Sequence, residues 1–270
     1  MQDKIIPAKV LSIAGSDPSG GAGIQADIKT VTSLGGYAAA AMTALTIQNT
    51  EGVRGVFPVP SATVAEQIAA VMEDIEPQAV KIGMVNDADI VRVISEAIVR
   101  YAPRYVVFDP VMVSTSGHRL IGENVAARLE SDLIPRATII TPNMSEAEVL
   151  WRRPIDSVES MEQAAEELAR RYGTAVLVKG GHLDGDKMCD ILCDGRETYR
   201  FTAERIATRN LHGTGCTLSS AIATLLAQGR NMYDAVAQAK RYVSRAIEAG
   251  SRMAIGRGNG PLWHGVGKER

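Results

Sequence analysis

Three cysteines in 270 residues are too few for a disulfide scaffold, and they suit a reducing compartment. Cys189 and Cys193 have no second pair or histidine cluster beside them. They are therefore read as strand residues rather than zinc ligands. No apolar run approaches the ~20 residues of a membrane span. The opening stretch, Met1 to Pro7, lacks the long apolar core of a signal peptide. No basic block stands out and the net charge is −2, so nucleic-acid binding has little electrostatic support. These shortages predict a cytoplasmic protein with no nucleic-acid or membrane partner. No linker-like tract, repeat or low-complexity segment divides the chain, and residues 1–270 are read as one domain. A hydrophobic content of 46% beside 22% charged residues is ordinary for a soluble globular enzyme.

What is present alternates. Short apolar runs read as buried strands at 9–14, 37–47, 79–84, 104–111, 137–143 and 175–182. A further strand is expected at 53–59, and a hairpin around Asp194-Gly195 joins 188–193 to 197–201. Helical stretches fall at 24–33, 61–74 with Ser61 as cap, 87–101, 121–132, from 145, and at 160–172, 213–228 and 233–249. Strands alternating with helices predict an α/β fold with a mainly parallel central sheet and helices on both faces. The loop Gly15 to Gly23 contains Gly21-x-Gly23-x-x-Ala26, a dinucleotide fingerprint by letter. The acidic residue expected about 20 positions on is missing, and Gln48 stands there instead. No Gly-Lys-Ser/Thr follows either, which excludes a Walker loop.

The chain is organised around His212-Gly213-Thr214-Gly215-Cys216. Glycines just ahead of a helix leave its first N–H groups bare, and with the helix dipole they form an anion site. Cys216 falls at that N-terminus, where a thiol pKa is expected to drop. The competing reading is a glycine-softened helix start with a small buried cysteine. In open α/β sheets ligands bind beyond the carboxyl ends of the strands. Gly15 to Asp17, Gln48, Met84, Asp109, Asn143 and Lys179 stand at those ends. Asp109 and Glu146 offer carboxylates to Mg²⁺, which completes its shell with water and phosphate. Lys179 supplies a point charge for a nucleotide phosphate, and the turn holds the transferring group. Phosphoryl transfer requires positioning, cationic neutralisation and a route for the acceptor's proton. The set offers all three, and we read a kinase.

These stretches resemble the hydroxymethylpyrimidine (phosphate) kinases of thiamine biosynthesis, in the ribokinase-like superfamily. The resemblance is carried by residues 13–27, 43–50, Lys81-Ile82-Gly83-Met84, Thr141-Pro142-Asn143-x-x-Glu146-Ala147, Val178-Lys179-Gly180-Gly181-His182 and 212–216. It implies a three-layer ribokinase-like fold without a large separate lid, ATP as phosphoryl donor, Mg²⁺ and a homodimer. It implies a pyrimidine pocket of Gly15, Asp27, Gln48 and Met84. Asp109, Asn143 and Glu146 match the Mg-phosphate surroundings, with the two acids as metal ligands. Lys179, Asn143 and Thr214 match the ATP-phosphate site, with Lys240 as a further phosphate partner. Gly213, Gly215 and Cys216 match the catalytic turn. Many sugar kinases of the superfamily carry aspartate where this chain has Cys216. A pyridoxal kinase of the same branch shares nearly every motif, and a non-catalytic ligand-binding protein on the scaffold is the reading from another class. Gln48 offers an amide donor and acceptor, which suits an aminopyrimidine edge.

Overall fold

The computed structural model describes residues 6–112, 122–181 and 187–266. Among the described residues nine strands form one sheet: β1 (Lys9–Ser16), β2 (Tyr37–Asn49), β3 (Gly52–Pro58), β4 (Ala79–Ile82), β5 (Tyr105–Phe108), β6 (Ile139–Ile140), β7 (Ala175–Val178), β8 (Lys187–Cys193) and β9 (Thr198–Glu204). Their order is β3-β2-β1-β4-β5-β6-β7-β8-β9. The six neighbours from β2 to β7 run parallel; β3 pairs antiparallel with β2 at one edge, and at the other β8 pairs antiparallel with β7 and β9 with β8. The order turns back after β1, so the crevice beyond the strand ends opens between β1 and its neighbours, where ligands bind in such sheets. Cys189 and Cys193 lie buried in β8, as the sequence predicts.

Alternation along each strand sorts the core into two layers. Leu11 and Ile13 of β1 face one side, and Val10 faces the other. The first side is covered by α2 (Ser61–Asp74), α3 (Ala88–Tyr101), α5 (Met144–Trp151) and α6 (Val158–Tyr172). The second is covered by α1 (Gly23–Ser33), α7 (Thr214–Ala227) and α8 (Met232–Ser251). Each fully buried Ile or Leu in these layers contributes about 1.5–3 kcal/mol of transfer free energy. The first side also takes in α4 (Glu123–Arg128), which packs on α3 and passes into a π-helical turn, Leu129–Leu133. Ile121, the expected start of that helix, lies outside the described residues, as does His182. Ser61 does not cap α2: Pro60 occupies the cap position and Ser61 is the first helical residue.

Helix α7 is buried nearly all round, wedged between the sheet, α1 and α8. Three of its hydroxyls are satisfied by the carbonyl one turn back: Thr217, Ser219 and Thr224 donate to the carbonyls of Gly213, Gly215 and Ser220. An all-buried helix holds its N-terminal turn firmly. The C-terminal segment reinforces it. The His212 N–H donates to the Gly260 carbonyl, Trp263 N–H to Ala246, and the Tyr242 hydroxyl to the His264 carbonyl. Gly258 and Asn259 donate to Thr50 at the β2–β3 turn. This segment therefore ties that turn to the start of α7.

His264 is buried and its Nε2 sits 3.0 Å from Thr217 Oγ1. Burial, with a smaller effect from Lys29, pushes its pKa down to about 4 from 6.5. The neutral ring thus stabilises the fold above the unfolded value, and this is lost as pH falls from 6.5 through about 4. His264→Gln, which keeps an amide for Thr217, is expected to flatten the decline of Tm across that window. An unchanged slope in the variant would mean that His264 does not carry it.

Candidate active site

The two glycine loops of the sequence interlock. Gly213 adopts φ +86°, and a Cβ there would overlap the carbonyl of Gly21. Gly23 adopts φ +56°, and a Cβ there would overlap the carbonyl of Gly15. Only glycine meets both demands, a left-handed backbone and a backbone approaching at contact distance. The Gly21-x-Gly23 pattern is thus a loop-against-turn packing device, not a dinucleotide fingerprint. Gly15 lies against Met84, since a Cβ at 15 would come within 2.6 Å of the Met84 methyl.

Across the neighbouring ends of β5, β6 and β7 stand Asp109, Asn143 and Lys179. Lys179 Nζ lies 2.8 Å from Asp109 Oδ1, which also accepts from Thr141 Oγ1 at 3.0 Å. A Cβ on Gly215 would be 3.3 Å from both Asp109 Oδ2 and Lys179 Nζ. The turn therefore sits directly against the charged pair. Burial works to raise the Asp109 pKa, but the Lys179 and Lys81 cations hold it below the ordinary carboxylate range. Burial works against charge on Lys179 too, and Asp109 and Glu146 keep it protonated.

Asn143 caps α5, accepting from the Glu146 N–H at 2.9 Å, while Glu146 accepts from the Asn143 N–H at 2.8 Å. This reciprocal capping box leaves the Asn143 NH2 to donate elsewhere. Glu146 also takes the Met112 N–H at 3.3 Å. Burial pushes its pKa up to about 7, with Asp109 adding to the rise and Lys179 opposing it. Two buried acids that resist joint ionisation form an arrangement that a cation would relieve. Among the described residues no group of three metal-ligating side chains exists, so phosphate and water would have to complete an ion's shell.

Cys216 lies in the first turn of α7, with no side-chain cap at Gly213. Its thiol departs from the sequence expectation. Burial pushes the pKa up to about 11; Lys81 pulls it down, Asp27 and Asp109 push it further up, and a backbone hydrogen bond from Gly23 lowers it. The helix end and the nearby lysine do favour thiolate, but desolvation and two neighbouring carboxylates outweigh them. Thr214 spends its hydroxyl hydrogen on the Leu211 carbonyl at 2.7 Å.

Two other expected residues are placed differently. Asp27 is fully buried behind the turn, bound to Lys81 Nζ at 2.8 and 2.9 Å and to the hydroxyls of Ser12 and Ser220. Its lone pairs are taken up by these partners, so it holds α1, β4 and α7 together beneath Cys216 rather than facing a pocket. Lys240 pairs with Asp190, whose other oxygen accepts the Gly180 N–H. Its charge is thereby neutralised one residue past Lys179.

Gln48 lies at the far end of β2, with Nε2 3.3 Å from His212 Nε2 and Oε1 3.2 Å from Thr46 Oγ1. His212 Nε2 in turn lies 2.8 Å from Asp17 Oδ2. Asp17 also accepts from Ser19, Gly21 and Ala22. Burial opposes its charge, but His212 and these donors lower its pKa to about 2. The Asp17–His212 pair carried no role in the sequence reading. An aspartate two residues before a serine in a glycine-rich loop was its available signal.

A mainly parallel sheet, a glycine turn opening a buried helix, and a lysine–aspartate pair at the adjoining strand ends define a phosphotransferase of the ribokinase-like class. Residues 17–263 match the phosphomethylpyrimidine kinase family. The chain is 48% identical over 258 residues to the hydroxymethylpyrimidine/phosphomethylpyrimidine kinase of Rhizobium meliloti, covering 95% of this chain and 97% of that one. It is 49% identical over 255 residues to the thiamine biosynthesis bifunctional protein ThiED of Geobacter sulfurreducens, covering 94% of this chain and about half (52%) of that longer protein. An ADP complex of Bacillus subtilis pyridoxal kinase superposes with a TM-score of 0.89 at 34% identity, covering 96% of this chain and 98% of that one. The chain belongs to the phosphomethylpyrimidine kinase family.

Proposed function

We propose that the chain transfers a phosphoryl group from ATP to the hydroxyl of 4-amino-5-hydroxymethyl-2-methylpyrimidine and then to the resulting monophosphate, in thiamine biosynthesis. The observation that carries this is the Lys179–Asp109 pair packed against Gly215, one turn from Gln48 through His212. In this reading the bare N–H groups of the turn and Lys179 hold the transferring phosphoryl group, Asn143 donates its amide to the nucleotide phosphates, and Cys216 takes up the acceptor's proton. Asp109 and Glu146 would hold Mg²⁺, which neutralises phosphate charge when bound. Gln48 reads the aminopyrimidine edge, with Gly15 and Met84 forming the wall beside it. The pyridoxal kinase neighbour shares the fold, so fold alone does not separate the two acceptors; Gln48 and the family favour the pyrimidine. One domain carries both transfers.

A homodimer is supported by Leu45, Ile47 and Phe57, which are exposed together on the β2–β3 hairpin. The reducing cytoplasm suits three free thiols. Among the described residues no helix is long and apolar enough to cross a membrane.

ADP release measured with the pyrimidine, with pyridoxal and with neither tests the assignment. Turnover is expected with the pyrimidine; turnover with pyridoxal alone, or equal rates without acceptor, would overturn it. Gln48→Ala is expected to lose about 1–3 kcal/mol in pyrimidine binding by calorimetry, with ATP binding nearly unchanged. Equal pyrimidine affinity in variant and wild type would remove Gln48 from the pocket.

A further inference from the structure

The hydrogen bonds around Gln48 contain two mismatches. Asp17 is ionised at working pH and only accepts. His212 Nε2 lies 2.8 Å from it and must therefore carry a hydrogen and donate. Toward Gln48 that nitrogen is again a donor, and the amide atom facing it at 3.3 Å is Nε2, a second donor. Thr46 Oγ1 has one hydrogen, which goes to the Ser16 carbonyl at 2.7 Å. Toward Gln48 it is an acceptor, and the amide atom facing it at 3.2 Å is the oxygen. A half-turn about the last side-chain torsion cures both faults at once, and glutamine's terminal torsion is broad.

We propose that His212, held by Asp17, is a positioning residue that keeps Gln48 Oε1 on its own side and so dictates which way round the aminopyrimidine docks. This rests on the reading of Gln48 as the ring's partner. The His212 N–H is then shared between Asp17 and Oε1, and the Gln48 NH2 donates one hydrogen to Thr46. One acceptor lone pair and one N–H remain for the ring. Oε1 accepts from the exocyclic amine and the NH2 donates to the adjacent ring nitrogen. In the substrate the amine-bearing carbon lies between that ring nitrogen and the carbon carrying the hydroxymethyl arm. An amine on the His212 side therefore puts the ring nitrogen on the Thr46 side. The arm then falls beyond the amine, where the chain continues from His212 into Gly213–Cys216. The opposite amide orientation would turn the arm away from the turn.

Two measurements test this. In ¹⁵N-labelled wild type, His212 is expected in the Nε2–H form, with the Gln48 amide hydrogens showing nuclear Overhauser contacts to Thr46 and none to the His212 ring. Contacts to the His212 ring, or an Nδ1–H form, would overturn the proposal without need of any variant. In kinetics, the substrate is compared with its analogue lacking the 4-amino group. Wild type is expected to prefer the amine by at least about tenfold in kcat/KM. In His212→Leu that preference falls to within about threefold while the KM for ATP is kept. A retained preference in a folded His212→Leu protein overturns the positioning role alone. No preference in wild type would overturn the reading of Gln48 together with the docking claim, whatever the amide orientation.

Discussion

Replacing Cys216 with alanine is expected to lower kcat by about two to four decades, the usual worth of a positioned proton acceptor. Lys179, the backbone turn and the two acids stay in place, so ATP binding and Tm should hold. The pH dependence is the sharper signature. Because the thiol is pushed up to about 11, the thiolate is scarce at neutral pH and its fraction grows with each unit above it. Wild-type kcat should therefore climb with pH through the alkaline range, and the alanine variant should not. Cys216→Asp should recover part of the rate, with the rise moved to lower pH, because a carboxylate accepts a proton in a lower range. Cys216→Ser should stay slow. If the cysteine only fills space, the order reverses: Ser and Ala are tolerated and Asp is destabilising as a buried charge. Measuring kcat against pH and Tm for the three variants decides, and near-wild-type kcat in Cys216→Ala would remove the role.

Lys179→Met is expected to cost about 10²–10³ in kcat/KM, the scale for removing one preorganised electrostatic group. The variant also strips Asp109 of its 2.8 Å partner and leaves it buried near Glu146. One of the two acids should then protonate at neutral pH rather than remain as an unpaired charge. The loss should appear in ATP affinity and kcat, with pyrimidine affinity by calorimetry unchanged. A loss confined to pyrimidine binding would place Lys179 outside the phosphate site.

The sequence made the sheet and most helices legible because the strands are short apolar runs and the helices carry clear periodicity. The strand-end residues were legible for the same reason, since a run that stops at Asp109 or Lys179 marks the end of its strand. The Asn143-x-x-Glu146 spacing also reads directly as a capping box. What sequence did not reveal depends on contacts between distant segments. Asp27 and Lys81 are 54 positions apart, and only the fold buries them together. The one clue was a lysine inside the apolar strand Ala79-Val80-Lys81-Ile82, which demands a buried counter-ion. The Cys216 pKa misled for a related reason. Helix position is local and visible, whereas desolvation and the approach of Asp27 and Asp109 are not. The loop glycines likewise spell a dinucleotide fingerprint by letter, while their backbone contacts with one another are visible only in three dimensions.

The most direct test of the whole account is the time course of both phosphorylations, followed by ³¹P NMR with ATP and excess 4-amino-5-hydroxymethyl-2-methylpyrimidine. The described residues bring together one anion turn, one lysine-bearing strand end and one carboxylate pair, so the account has a single site serving both steps. It predicts that the monophosphate accumulates first and that the diphosphate appears only as the free pyrimidine is depleted. Formation of diphosphate at an undiminished rate under saturating pyrimidine would contradict the single site, and the absence of any phosphate ester would contradict the kinase itself.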